Sequence, residues 1–312
     1  MKNEPQNAIL GIAFNYSDLI LRPFLISLQN SGFKGDLILF TNNKTCLSNL
    51  IIYDFNIVFI NIERRLSVTG LIHKLIKRIS IIPYLQDIWV SFHRKIIRLR
   101  LEDKRPFSTW MLGFIFYNLH MTSARFGLYY DWVLRNKHEN IFLTDVSDVV
   151  FQGDIFRNVV NSKVLAFEEY SDVRIGYDGN NRDWIETGYG SEVLNAMFES
   201  RICCAGTILC NRVLCIDFLV DFVMELLKRD NSLNMSGFDQ GVFNYLLSYV
   251  KKDYFETSGN GKVVFTVASQ PIAEIFTLED ILAPDNSHTP AVVHQYNRYR
   301  NLVEFIQNKY IS

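Results

Sequence analysis

The first strand–helix–strand pattern constrains this chain most. Ala8-Ile9-Leu10-Gly11-Ile12-Ala13-Phe14 is a strand candidate, and Asp36-Leu37-Ile38-Leu39-Phe40 is a second. Between them Asn15-Tyr16-Ser17-Asp18 breaks the first run and caps a helix expected over Leu19 to Gln29. Ser31 to Gly35 reads as a turn, and Ile51 to Ile60 contains a third strand. Strand, helix, strand at this spacing opens a parallel α/β sheet. In such sheets the loop after the first strand, here Phe14 and Asn15, is a natural place for a base and ribose. A plain connection capped by Ser17 or Asp18 is the alternative.

The second constraint is Ile141-Phe142-Leu143-Thr144-Asp145-Val146-Ser147-Asp148-Val149-Val150-Phe151. Ile141 to Leu143 reads as a buried strand, and Val149 to Phe151 as a β-branched and aromatic one. Asp145 and Asp148 sit where the first strand ends. Two carboxylates so close together are unfavourable unless a cation or hydrogen-bond donors compensate them. A hard divalent metal carrying a nucleotide diphosphate meets that need.

Further along, Thr109 to Arg135 reads helical, with Phe126, Tyr129, Tyr130 and Val133 as core. Arg125 starts its second half and either reaches a phosphate or makes a surface salt bridge. Val164 to Phe167 is a strand ending in Glu168-Glu169. Ser171 to Gly190 is polar and Gly-containing, so it is expected to be a loop region in which Trp184 and Tyr189 stack on a sugar or base. Tyr189 to Glu199 reads as a helix. Ile202 to Leu209 is a strand interrupted by Ala205-Gly206, which marks a close ligand approach or a bulge. Leu214 to Lys228 is expected to be an amphipathic helix. Asn234 to Gly241 turns into a helix from Val242 to Val250, with Asp239 and Gln240 at its start and Asp239 a natural cap. Val263 to Val267 is a late strand, and the apolar run Ala291 to Val293 leads into His294.

The chain has 312 residues, 48% of them hydrophobic, and a net charge of -1. That composition is globular, and the charge gives no support to nucleic-acid binding. No linker-like composition divides residues 1–312, so one domain is expected. Residues 63–105 stand apart as a basic helical insertion, with eleven Lys or Arg against four Asp or Glu. Leu71, Leu75 and Ile79 share a helical face there, while Lys74, Lys77 and Arg78 occupy another sector. Such a segment suits an anionic membrane surface, or packs on the domain with a solvated basic face. Cys46, Cys203, Cys204, Cys210 and Cys215 lack zinc-like spacing and read as reduced core residues. No secretory signal and no run of about 18 apolar residues is visible, so a cytoplasmic chain, peripheral on the inner membrane face, is expected.

The order of these features resembles the GT-A glycosyltransferases, the nucleotide-sugar transferases, and especially the glycogenin-like and bacterial lipopolysaccharide galactosyltransferase group. The stretches that carry the likeness are Phe33 to Thr41, Leu143 to Gln152, Cys204-Ala205-Gly206-Thr207-Ile208-Leu209, Asp239 to Asn244 and Val293 to Tyr296. The resemblance implies an α/β fold of GT-A (Rossmann-like) type. Its central sheet would be mixed but mainly parallel and flanked by helices.

It also implies a metal site of Asp145, Asp148 and His294 for Mn²⁺ or Mg²⁺, with imidazole favouring manganese. The two aspartates are separated by two residues, where the family motif has one. Donor binding would fall to Phe14, Asn15, Arg125, Asp145, Ala205 and Gly206, and catalysis to Asp239 and Gln240. Glu168 and Glu169 are further candidate bases. The implied activity is transfer of a hexose from a UDP-sugar to a hydroxyl of a growing surface glycan, lipid-linked or free. A nucleotidyltransferase and a non-catalytic carbohydrate-binding protein on the same fold are the alternatives.

Overall fold

The computed structural model describes residues 6–42, 53–66, 68, 83–159, 162–170, 172–228, 235–268, 280, 281, 283 and 288–311. Lys74, Lys77, Arg78, the Leu71–Ile79 face and Cys46 lie outside the described residues.

The expected α/β architecture is present. A seven-stranded sheet comprises β1 (Asn7–Ala13), β2 (Asp36–Thr41), β3 (Asn56–Asn61), β4 (Asn140–Thr144), β6 (Val164–Glu168), β7 (Cys203–Asn211) and β8 (Phe255–Ser258), in the order 3-2-1-4-7-6-8. β1 runs parallel to both β2 and β4, and β6 runs parallel to β8; β7 alone is reversed, antiparallel to β4 and β6. This is a mixed, mostly parallel sheet of Rossmann-like type. Both faces are buried, which explains the unbroken apolar runs. Ala8, Leu10, Ile38, Phe40, Ile141 and Leu143 face one core, while Ile9, Leu37, Leu39 and Phe142 face the other.

Helices cover both faces. On the first lie α4 (Thr109–Asn118), α5 (Met121–Arg135) and α8 (Arg212–Leu226), with Phe126 stacked on Phe222 at 4.0 Å between ring centroids. On the second, α1 (Asp18–Asn30) packs beside β5 (Val149–Phe151), with Phe24 set edge-on to Phe151. Burying aromatic rings of this size stabilises each contact by roughly 2–3 kcal/mol before entropy is counted. The stretch Thr109 to Arg135 is two helices rather than one, broken at Leu119-His120, where His120 caps α5.

A small second sheet orders β5, β10 (Val292–His294) and β9 (Val264–Thr266). Its register places His294 opposite Val149 and beside Thr266. The basic segment contributes α2 (Ile62–Arg65) and α3 (Pro83–Glu102). α3 is held by the buried side chains of His93, Ile97 and Leu101, and it leaves Ile88, Phe92 and Leu99 exposed. No helix among the described residues is long and apolar enough to cross a membrane.

The structure corrects three local expectations. The supposed loop Ser171 to Gly190 holds a helix, α6 (Gly179–Tyr189), capped by Asp178, and α7 (Ser191–Met197) follows it. The helix after Gly237 begins earlier than expected: α9 is Phe238–Asn244 and runs into a π-helical turn at Tyr245–Tyr249. α8 is apolar over more of its surface than an amphipathic surface helix, because it packs against both the sheet and α5.

Candidate active site

Strand order locates the site. The chain leaves β1 toward β2 and β3 on one side, while β4 lies on the other. The crevice beyond the carboxyl ends of β1 and β4 is therefore the topological switch point, the usual ligand position in such sheets. Phe14 to Ser17 and Asp145 to Asp148 are the loops that leave those ends.

Asp145, Asp148 and His294 meet there. The Asp145 backbone N–H donates to the Gly206 carbonyl at 2.8 Å, which fixes the loop to β7. Gln295 N–H donates to the Asp148 carbonyl at 2.8 Å, so the second sheet brings His294 alongside. The His294 Nε2 lies 3.5 Å from an Asp145 oxygen and 4.0 Å from an Asp148 oxygen. One donor atom from each of the three residues fits within a 4.8 Å span. Nε2 is buried and lacks a hydrogen-bond partner, while Nδ1 faces Thr266 Oγ1 at 3.5 Å and Cys204 Sγ at 3.6 Å. Two carboxylates and an imidazole nitrogen aimed at one point form a donor set that fits a divalent cation. Gly206 closes the cradle. A Cβ there would stand 2.4 Å from Asp145 Oδ2 and 3.0 Å from His294 Cε1, so any side chain would displace the group.

Arg125 is the largest departure from expectation. It lies in the second turn of α5 and is buried, not a surface salt bridge. Its guanidinium pairs with Asp145 on one side and with Asp239 at 2.9 Å on the other, and also donates to the Ala205 carbonyl. Asp239 is not the helix cap; Gly237, in a left-handed conformation, holds that position. The two Asp239 oxygens differ: Oδ2 meets Arg125, and the buried Oδ1 has no partner. Gln240 spends its amide on its surroundings, accepting from Ala205 N–H at 2.7 Å and donating to Glu169 and to the Cys203 carbonyl.

These contacts set the charges. Burial opposes a charge on Arg125, but Asp145 and Asp239 outweigh it and keep the guanidinium protonated. Burial pushes the Asp145 carboxyl up, yet Arg125 and then His294 hold it well below the usual carboxylate range. Asp148 pairs with no arginine in this way, and burial lifts its carboxyl above the ordinary value against the pull of His294 and Arg298. Burial disfavours a cation on His294, but Cys204, Asp145 and Asp148 raise its pKa well above that of ordinary imidazole. Burial pushes the Cys204 thiol above its ordinary value.

Two cavities open onto this group. One, of about 480 Å³, is lined by Phe14, Asn15, Tyr16, Asn42, Phe116 and Asp148, among others. Asn15 sits at a positive φ, held by paired hydrogen bonds with Asn42. The other, of about 520 Å³, is bounded by Glu169, Asp178, Asn181, Trp184, Asp239 and the Ala205-Gly206 backbone. β7 is continuous, and the irregularity lies in its pairing: Ala166 opposes Ile208 while Glu168 opposes Cys203. Residues 204–207 thus bulge toward the second cavity. A larger hollow of about 600 Å³ along α3, beside Arg94 and Arg98, includes none of Asp145, Asp148 and His294.

All the residues expected from sequence to bind donor or metal line this crevice or touch its lining. Glu168 does not join them, because it pairs with Arg201, and Tyr189 stacks on Tyr245 away from the cavities. Asn42, Phe116, Asp178 and Asn181 escape a reading by sequence, since each looks there like an ordinary loop or helix residue. Gly237 and Gly241 carry one usable signal: a Cβ on either would strike Trp184, so the glycines seat that ring.

No protein-family model matches the chain, and a search of curated proteins finds no significant similarity. Fold and site define the class: a Rossmann-like α/β protein with an Asp-Asp-His group suited to a cation at the carboxyl edge of its sheet.

Proposed function

We propose that the chain is a metal-dependent glycosyltransferase on a GT-A fold, moving a hexose from a UDP-sugar to a hydroxyl of a growing surface glycan. The observation that carries this reading is the buried, unpartnered His294 Nε2 facing Asp145 and Asp148 between two unlike cavities. Asp145, Asp148 and His294 would hold Mn²⁺ or Mg²⁺, and a cation taking Nε2 would displace the histidine proton. When bound, the ion supplies Lewis acidity to the departing nucleoside diphosphate. Phe14 and Asn15 flank the nucleoside, and Ala205-Gly206 let the sugar approach β7 closely. Asp239 stands beside the reacting carbon, and Gln240 braces the Ala205 backbone and Glu169. Exposed Phe92 and Leu99 beside Lys95 on α3 support a peripheral contact with an anionic membrane carrying the acceptor.

Purified protein should bind Mn²⁺, followed by the electron-spin signal of the free ion, and should turn over a UDP-hexose. Asp148→Ala should weaken Mn²⁺ binding by roughly a hundredfold or more, since even outer-shell losses weaken metal sites 10–100-fold. The circular-dichroism spectrum should stay unchanged. Turnover by that variant at the wild-type rate under excess chelator would reject the metal role. One observation favours a non-catalytic carbohydrate-binding protein instead: Asp145 already has a cationic partner in Arg125. Sugar binding indifferent to Mn²⁺, with no turnover, would establish that alternative.

A further inference from the structure

The second cavity has a wall made of hydrogen-bond acceptors. Asp239 and Asn181 are 3% and 5% exposed, and each presents a buried Oδ1 with no hydrogen-bond partner. The orientation of Asn181 is set by its neighbour, because Nδ2 donates to Asp178 Oδ1 at 2.9 Å and leaves Oδ1 as the unsatisfied end. A buried polar atom without a partner is unfavourable by about 1–3 kcal/mol, so two in one wall point to a ligand that supplies donors. Glu169 and Asp178 add two further carboxylates to the lining.

Among the described residues two cations line this cavity: Arg125, engaged by Asp145 and Asp239, and Arg298, whose charge also acts on Asp148. Trp184, seated on Gly237 and Gly241, supplies the one large apolar surface, suited to the C–H face of a pyranose ring.

We propose that this cavity selects an uncharged, hydroxyl-rich hexosyl group and rejects hexuronosyl groups, an inference that rests on the glycosyltransferase reading. Sugar hydroxyls donate to Asp239 Oδ1 and Asn181 Oδ1. A carboxylate on the sugar meets the unpaired acceptors and, among the described lining residues, four carboxylates, Asp145, Glu169, Asp178 and Asp239, against the two arginines Arg125 and Arg298, and juxtaposed like charges are strongly disfavoured.

Titration calorimetry of the full chain with Mn²⁺ and three probes, UDP, UDP-glucose and UDP-glucuronate, tests this. UDP-glucose should bind at least as tightly as UDP, and UDP-glucuronate should bind roughly tenfold weaker or worse. Glu169→Gln, with its fold verified by thermal melting, should narrow that gap. Equal affinity for UDP-glucose and UDP-glucuronate would overturn the selectivity while leaving the nucleotide-sugar reading in place. Failure of all three probes to bind would overturn that reading instead. In that case methyl glucoside and glucuronate, compared by saturation-transfer NMR, still decide whether the wall rejects the acid. A glucuronate signal equal to that of methyl glucoside counts against it.

Discussion

The cavity beside Phe14 and Phe116 and the cavity beside Trp184 and Glu169 share Thr122, Arg125 and Asp145 but little else. The first is built by the loops after β1, β2 and β4 with α4 and α5; aromatic rings and amides, Phe14, Tyr16, Phe116, Asn15 and Asn42, line it beside the carboxylates of Asp145, Asp148 and Glu63. The second is built by the bulge of β7 with α6 and α9, and its walls are carboxylates and side-chain amides around the Trp184 ring, with Arg125 and Arg298. A flat, mostly apolar ring suits the first and a polyol the second. A ligand spanning both must pass Asp145, Asp148 and His294. The site therefore divides one elongated substrate into parts by the chemistry of the walls, and Arg125 is the partition between them.

Removing the partition should have the largest effect. Arg125→Met leaves Asp145 and Asp239 without their buried counter-charge, and breaking such an arrangement destabilises by about 3 kcal/mol or more. Urea unfolding should show this loss, and adding Asp145→Asn with Asp239→Asn should recover part of it. A loss below about 1 kcal/mol would mean the carboxylates are solvated, as at surface pairs, and would dissolve the boundary between the cavities.

The next effect separates the two sides. Phe116→Ala should weaken UDP and UDP-glucose alike, by about 1–3 kcal/mol if the ring stacks on the base. Trp184→Ala should leave UDP unchanged and remove only the extra affinity that the sugar brings. Calorimetry on both variants reads the split directly. Equal losses for UDP and UDP-glucose in Trp184→Ala would assign the nucleoside to the wrong cavity.

How much of this was legible in the sequence depends on the range of the interactions involved. β1, β2 and β4 could be placed within a residue or two, because strands buried on both faces are continuous apolar runs. Asp145 and Asp148 were legible as a costly pair at a strand end. α6 was not, since its polar residues and glycines mimic a loop; the Asp178 cap, the burial of Ile185 and the packing of Trp184 on α9 hold it as a helix. The role of Asp239 was hidden for a different reason. Its partner Arg125 lies 114 residues away, and local propensity offered only a helix cap. Cys204 read as inert core, yet it stands behind His294 because two sheets converge there.

The smallest expected effect tests whether the second cavity is as acid-rich and dry as its lining implies. Burial lifts the Glu169 carboxyl above its usual value, with His294 pulling the other way. The folded chain therefore keeps this proton to a higher pH than the unfolded chain does. Below the unfolded value both states are protonated, and stability owes nothing to the difference. As pH rises between the two values, only the unfolded chain releases the proton, so stability falls, and the loss is complete above the folded value. Glu169→Gln keeps an oxygen for the Gln240 amide to bond and has no proton to release. Urea stability of wild type and variant should match on the acid side and diverge as pH climbs above the ordinary carboxylate range, with the variant the more stable. Parallel curves would mean that water reaches Glu169 freely. The chemical contrast between the two cavities would then rest on Asp239 and Asn181 alone.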